Sequence, residues 1–298
     1  MPAIDSSAAA VRELTAWNPA ARERPLAAPL GPDSVTWKVF GDLTYVMGAA
    51  RRLLMDVAHP TIADGVREFS VFQTDPYGRG ERTLAMILGV IYGQEHALAT
   101  AQRLREGHQP FRGERADGSR WSALEPEAYH WVHASIIDGV WTQQQALGRG
   151  WRAGEVEQFY DEMHEVGRMY GVRDRDMPPT WAKFRVWFDE FVADRLERSD
   201  MTDAVLQITA RPTPPPVPVL GWKPVWAVPG RTAGRLNMLL TGGLLPPLLR
   251  ERLGVHWTPW HQRAFDANAV VSRAMVPRLP DRIRLLPDTY TAMKEATR

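Results

Sequence analysis

Beyond residue 33, apolar side chains recur at three- and four-residue spacing along most of the chain, and prolines and glycines cut the recurrence into helix-length pieces. A chain patterned this way must bury its stripes helix against helix. Asp33 or Ser34 is placed to cap a segment running through Phe40, and Leu43 to Val57 continues the pattern until Pro60. Thr61 to Phe69 follows. Arg82 to Tyr92 and Gln94 to His108 read as two helices, or one bent at Gly93, and Pro110 limits the second. Gly113 to Ala123, with Asp117-Gly118-Ser119, reads as a turn, and three helices are expected over Glu125–Leu147, Gly154–Tyr170 and Pro179–Arg198. No segment makes a strand by its pattern.

Seven prolines between Arg211 and Gly230 predict a helix-free connector across the surface, after which Arg231 to Leu253 and Pro259 to Met275 restore the helical spacing. The expectation is an all-α fold in a single large multi-helix domain over residues 33–278, with the proline-rich stretch 211–230 inside it. Residues 1–32, carrying Pro19, Pro25, Pro29 and Pro32, read as an arm, and residues 279–298 as a loosely attached tail. At 298 residues the chain is long enough to bury both a core and a cofactor pocket.

Composition removes whole classes of chemistry. With no cysteine, thiolate-ligated haem, iron–sulfur clusters, cysteine zinc sites and disulfides are excluded, so histidine, carboxylate or arginine must carry any site. A formal charge of +1 offers no broad field for nucleic acid, which is not an expected partner. The longest apolar run, Leu236 to Leu249, is broken by Gly242, Gly243, Pro246 and Pro247 and is too short to span a bilayer, so no transmembrane segment is expected. The first residues lack a basic stretch leading into an apolar core, and the reading is of an unexported, cytoplasmic protein.

The most informative chemistry lies in Arg79-x-x-x-Thr83 and, about a helix later, Arg105-x-x-His108-x-x-x-Arg112. Spacings of three, four and seven place a histidine between two guanidinium groups on one helical face, unless Pro110 ends the helix near Gln109, in which case Arg112 sits in a turn and reaches the same site by a different route. Imidazole can ligate iron, and arginine forks suit the carboxylates of a porphyrin. Other candidates have structural readings beside them. His59 reads as a helix-end residue, His130 and His133 as packed core histidines, and the twelve tryptophans as fillers between helices. Asp64 and Glu68, one turn apart, could offer a base, and Asp189, Glu190 and Asp194 read as a solvated face.

Gly41-Asp42, Leu53 to Pro60 ending in His59-Pro60, Gly65-Val66 with Ser70, and Arg79 with Thr83 follow one another in a telling order. They continue with Gly93 and Ala97, His108-x-x-Phe111-x-Gly113, Trp131-Val132-His133-Ala134, and Leu244-Leu245-Pro246 with Arg250. Together they resemble the haem b oxygenases that include latex-clearing protein and the fungal MpaB enzyme, over roughly residues 37 to 275. The resemblance implies helices enclosing a haem b pocket, with His108 matching the proximal iron ligand and Arg79, Thr83, Arg105 and Arg112 matching the cofactor lining. It also implies O2 as co-substrate, a small apolar substrate such as a prenyl chain or biosynthetic intermediate, and an electron donor among the candidate partners.

Two departures bear on mechanism. Arg82 stands where latex-clearing protein has a lysine, and arginine cannot ligate iron, so Arg82 and Thr83 become the candidates for hydrogen bonding to oxygen. The absence of an export pattern argues against a polymer substrate. Two rivals remain. Glu127-x-x-His130 and the near match Asp161-x-x-His164 have the spacing of a carboxylate-bridged di-iron oxidase, which would further need Glu157 or Glu95 and would contain no porphyrin. A non-catalytic carrier of haem or another hydrophobic ligand, or a partner protein, is the other.

Overall fold

The computed structural model describes residues 26–217 and 223–296, and most of the expected N-terminal arm, residues 1–25, lies outside the described residues. The fold is all-α apart from one two-stranded hairpin. Ser34 caps α1 (Val35–Val39) by accepting from the Trp37 amide at 3.2 Å, and Asp42 caps α2 (Leu43–Met47) through the Thr44 amide at 2.9 Å. The single helix expected over Leu43–Val57 is divided at Gly48, where α2 ends and α3 (Ala49–Val57) begins. A Cβ at Gly48 would lie 2.3 Å from Gln143 Nε2, so the chain approaches its neighbour here more closely than a side chain allows.

Then come α4 (Pro60–Phe69), α5 (Pro76–Ile91), α6 (Ala97–His108), α7 (Pro126–Ala146), α8 (Glu155–Tyr170), α9 (Trp181–Arg195) and α10 (Asp200–Ala210). Helix α5 starts six residues before the expected Arg82, because Asp75 caps the Gly78 amide at 2.9 Å and Pro76 sits in the first turn, where no N–H is needed. Helix α10 has no counterpart in the sequence reading, although Ser199 and Thr202 form a capping box at its start.

Helix α3 lies at the centre, packed against α4, α7, α10 and α11 (Lys223–Leu244). Its stripe Gly48, Arg52 and Asp56 meets Gln143, Gly139 and Ser135 of α7 in reverse order. A Cβ on Gly139 would come within 2.9 Å of the Arg52 side chain, and Ser135 Oγ donates to Asp56 at 2.6 Å. Beside this polar seam, Trp131 is fully buried, stacks on Phe191 of α9 at 4.5 Å and donates its indole N–H to Met55 O at 3.1 Å.

Three expectations are corrected. Arg112–Glu114 (β1) and Arg120–Ser122 (β2) pair antiparallel around a turn in which Asp117 holds the Ser119 amide at 2.9 Å, so the segment read as a turn contains short strands. The proline-rich connector is shorter than 211–230, since α11 begins at Lys223 and carries Pro229 inside it. The tail is not loosely attached. Leu285 bridges to Asp42, the Leu286 amide donates to Gly41 O at 2.9 Å, and Thr289 of α15 (Pro287–Ala296) is fully buried.

Asp138 of α7 receives hydrogen bonds from both Arg51 of α3 and Arg185 of α9, and the Arg51 Nε donates to Leu244 O at the end of α11 at 3.1 Å. Arg51 and Asp138 are buried. Removing the carboxylate leaves the buried Arg51 without its ion pair, while Arg185 keeps Asp189 at 3.0 Å, so Asp138→Leu should lower the free energy of urea unfolding by about 3–5 kcal/mol. The double variant Arg51→Met with Asp138→Leu should recover part of that loss.

Candidate functional site

Helices α5 and α6 form a hairpin through the 3-10 turn Gln94–His96 and pack along each other. Their antiparallel course sets the C-terminal turn of α6, with Arg105 and His108, at the same end as Arg79, Arg82 and Thr83 on the first half of α5. Five of the six residues singled out from the sequence thus occupy one end of a single helical hairpin. The sixth, Arg112, does not share the helical face of Arg105 and His108, because α6 ends at His108. It lies exposed on β1, opposite Ser122.

His108 is half-buried, and its Nδ1 sits 2.7 Å from the carbonyl of Leu104 one turn earlier. A carbonyl only accepts, so this contact requires the Nδ1–H tautomer and leaves the lone pair on Nε2. The ring meets Phe111 edge-on at 5.6 Å, and Phe111 stacks on Phe69 at 4.9 Å. Arg105 is buried, and desolvation lowers its pKa against the opposing influence of Tyr129 and Glu106. Desolvation also lowers the pKa of Arg79, countered by the carboxyl of Asp56.

Asp56 is itself pushed up to about 6, chiefly by burial, although the Ser135 hydrogen bond and the charges of Arg79, Arg52 and Arg51 pull it the other way. The carboxyl facing Arg79 therefore stays mostly ionised at pH 7 and loses its charge as the pH falls through about 6. Sequence reasoning passed over Asp56. The available signal was its four-residue spacing from Arg52 inside an apolar helix. On the exposed side of α5, Arg82 pairs with Asp75 at 3.4 Å, and the Thr83 hydroxyl donates to Arg79 O at 2.9 Å.

Of the remaining candidates, Glu68 lies against the hairpin strand that follows α6, its Oε2 2.9 Å from where a Cβ on Gly113 would sit, while the others are engaged elsewhere. Asp64 is taken up by Arg67 and Arg115, each at 2.7 Å. Glu127 lies 3.5 Å from His59 and 3.4 Å from Arg195, whereas His130 stacks against Trp187 at 4.5 Å, so the pair read as half of a di-iron site faces two different neighbourhoods. Among the described residues, no group of three or more histidines and carboxylates is gathered so as to hold a metal ion. His133 contacts Met163 O at 2.8 Å and is buried, as expected of a core histidine.

The chain belongs to a family of oxygenase catalytic domains. Residues 37–274 match the family described as the catalytic domain of ER-bound oxygenase mpaB/B' and rubber oxygenase. Among curated relatives, an uncharacterized protein of Mycobacterium bovis, Mb2261, is 25% identical over 238 residues, covering 78% of this chain and 89% of that protein. The Mycobacterium tuberculosis protein Rv2237, also uncharacterized, matches to the same extent. No solved structure matches. Among the described residues no helix is long and apolar enough to cross a membrane.

Burial depresses His130 to about 3 and His133 to about 4. The folded state therefore keeps both rings neutral while the unfolded chain takes up protons below about 6.5, and stability is lost as pH falls from about 6.5 toward 4. Each histidine contributes up to about 1.4 kcal/mol per pH unit in that window. Urea unfolding of His130→Phe between pH 7 and 4.5 should show a shallower dependence than the wild type by about one proton.

Proposed function

We propose that this protein is a haem b-dependent oxygenase acting with O2 on a small apolar substrate, with His108 as the proximal iron ligand. The observation that carries this reading is the Nδ1 contact of His108 with Leu104 O, which orients the ring and commits the Nε2 lone pair to whatever lies in front of it. The surrounding donor set fits a dianionic porphyrin. Arg79 and Arg105 are cations whose charged forms burial disfavours, and the Asp56 carboxyl near Arg79 is itself raised, so propionates would bring further negative charge to both guanidiniums.

When bound, the haem would supply the iron centre at which O2 is activated. The chain's own part is to hold and orient. Arg79 and Arg105 would bind the propionates, and Arg112, on the hairpin that follows α6, is exposed and free to approach from the rim. Phe111, stacked on Phe69, packs edge-on against the His108 ring and would help to fix its orientation. Arg82 and Thr83 are the candidate donors on the oxygen side. The Thr83 proton is committed to Arg79 O, so its hydroxyl must rotate to donate elsewhere, whereas Arg82 has only a long contact to a solvated carboxylate to give up. An electron donor and a reducing, cytoplasmic setting belong to the same reading.

The test is the ultraviolet–visible spectrum of protein from haem-supplemented cells, before and after dithionite, for the wild type and His108→Ala. A Soret band that shifts or diminishes in His108→Ala is the expected result. Iron without a Soret band would replace this reading by the di-iron one, and a Soret band unchanged in His108→Ala would move the ligand elsewhere. Stoichiometric haem with no O2 consumption under any reductant and candidate substrate would make the protein a carrier.

A further inference from the structure

Helix α13 (Pro259–Met275) has two apolar sides. Phe265, Ala269, Ser272 and Val276, at spacings of four, three and four, face inward, and Phe265 and Ala269 pack with Leu147, Leu240 and Leu244. On the opposite side Trp260, Ala264, Ala267, Val271 and Ala274 repeat at four, three, four and three, and Val270 and Met275 flank them. Trp260 is 71% exposed, Met275 58% and Val271 54%. The outer side of a surface helix is normally its polar side. Here Gln262, Asp266 and Arg273 fall together on one flank, and Arg263 is the only charged residue within the stripe.

Charge decides what could cover this face. Residues 226–284 contain nine arginines against Glu251, Asp266 and Asp281, a net +6, while the whole chain carries +1, so the remainder is net negative. Arg263, Arg273, Arg278 and Arg282 are exposed in and just beyond α13. A second copy docking face to face would oppose two such basic segments, which repel. An anionic bilayer reverses the sign of that term, and the exposed indole and aliphatic side chains suit the boundary between headgroups and acyl chains.

We propose that the outer face of α13 is a peripheral membrane-docking surface, in which Trp260, Val271 and Met275 enter the headgroup boundary of an anionic bilayer under a rim of arginines. Arg263, inside the stripe, extends its stem along the apolar face and keeps its guanidinium at phosphate level. The surface lies on a helix that carries none of the candidate haem-binding residues, so it stands independently of the cofactor reading.

The full chain is to be co-sedimented with phosphatidylcholine vesicles, with and without phosphatidylglycerol, at low and high salt. The expected result is binding only to the anionic vesicles, weakened by salt and lowered about tenfold or more in Val271→Asp, with Val271→Leu behaving as the wild type. Trp260→Ser, at the most exposed position, provides the same comparison should Val271→Asp fail to fold. No binding of the wild type, binding equal with and without the anionic lipid, or unchanged binding in a folded Val271→Asp variant overturns the proposal. So does a dimer in sedimentation velocity that Val271→Asp dissociates, which would assign the face to a second copy.

Discussion

Four helices converge on one carboxylate. Asp138 is fixed on α7, receives Arg51 from α3 and Arg185 from α9, and through Arg51 is tied to the last turn of α11. A buried cation and a half-buried one on a single buried anion carry a desolvation penalty that only good geometry can offset, so the arrangement tolerates little sliding between helices. Arg185 also lies over the ring of Trp141 at 4.7 Å, extending the same constraint to the aromatic layer between α7 and α9. The central position of α3 follows, and with it the inward course of the Arg52 and Asp56 side of that helix.

The desolvated arginines of the candidate site depend on this arrangement. Asp56 is raised because α3 is packed on several sides, so its support of Arg79 weakens only as the pH falls toward 6. The site end of the α5–α6 hairpin thus holds two guanidiniums, those of Arg79 and Arg105, whose charged forms burial disfavours. That is the electrostatic state expected of a surface built to receive carboxylates.

Most helices were legible because their stripes are regular and their ends carry caps or prolines. The errors have different physical origins, and tertiary contact overriding local pattern is one of them. The break at Gly48 follows from the approach of Gln143, which no local spacing reports. Proline was read too strictly as a helix breaker over 211–230, although Pro224 falls in a first turn, where its missing N–H is harmless. The hairpin strands are three residues each, too short for alternation to register. At the site, the residues on α5 and α6 were found by spacing and by family resemblance. The position of Arg112 and the existence of Asp56 as a neighbour of Arg79 needed three dimensions, because one depends on where α6 stops and the other joins separate helices.

The tail's attachment bears on how the chain reaches its final state. Leu286 and Gly41 lie about 240 residues apart in sequence, so their pairing closes nearly the whole chain into a loop and must await the ordering of what lies between. Asp42, which bridges to Leu285, also accepts from Gln144 on α7 at 3.0 Å. The N-terminal helices can assemble early, but the contact that seals them is supplied by residues about 240 positions further along the chain. The fold is therefore late-locking, its native arrangement around α1 and α2 completed only once the intervening chain has ordered.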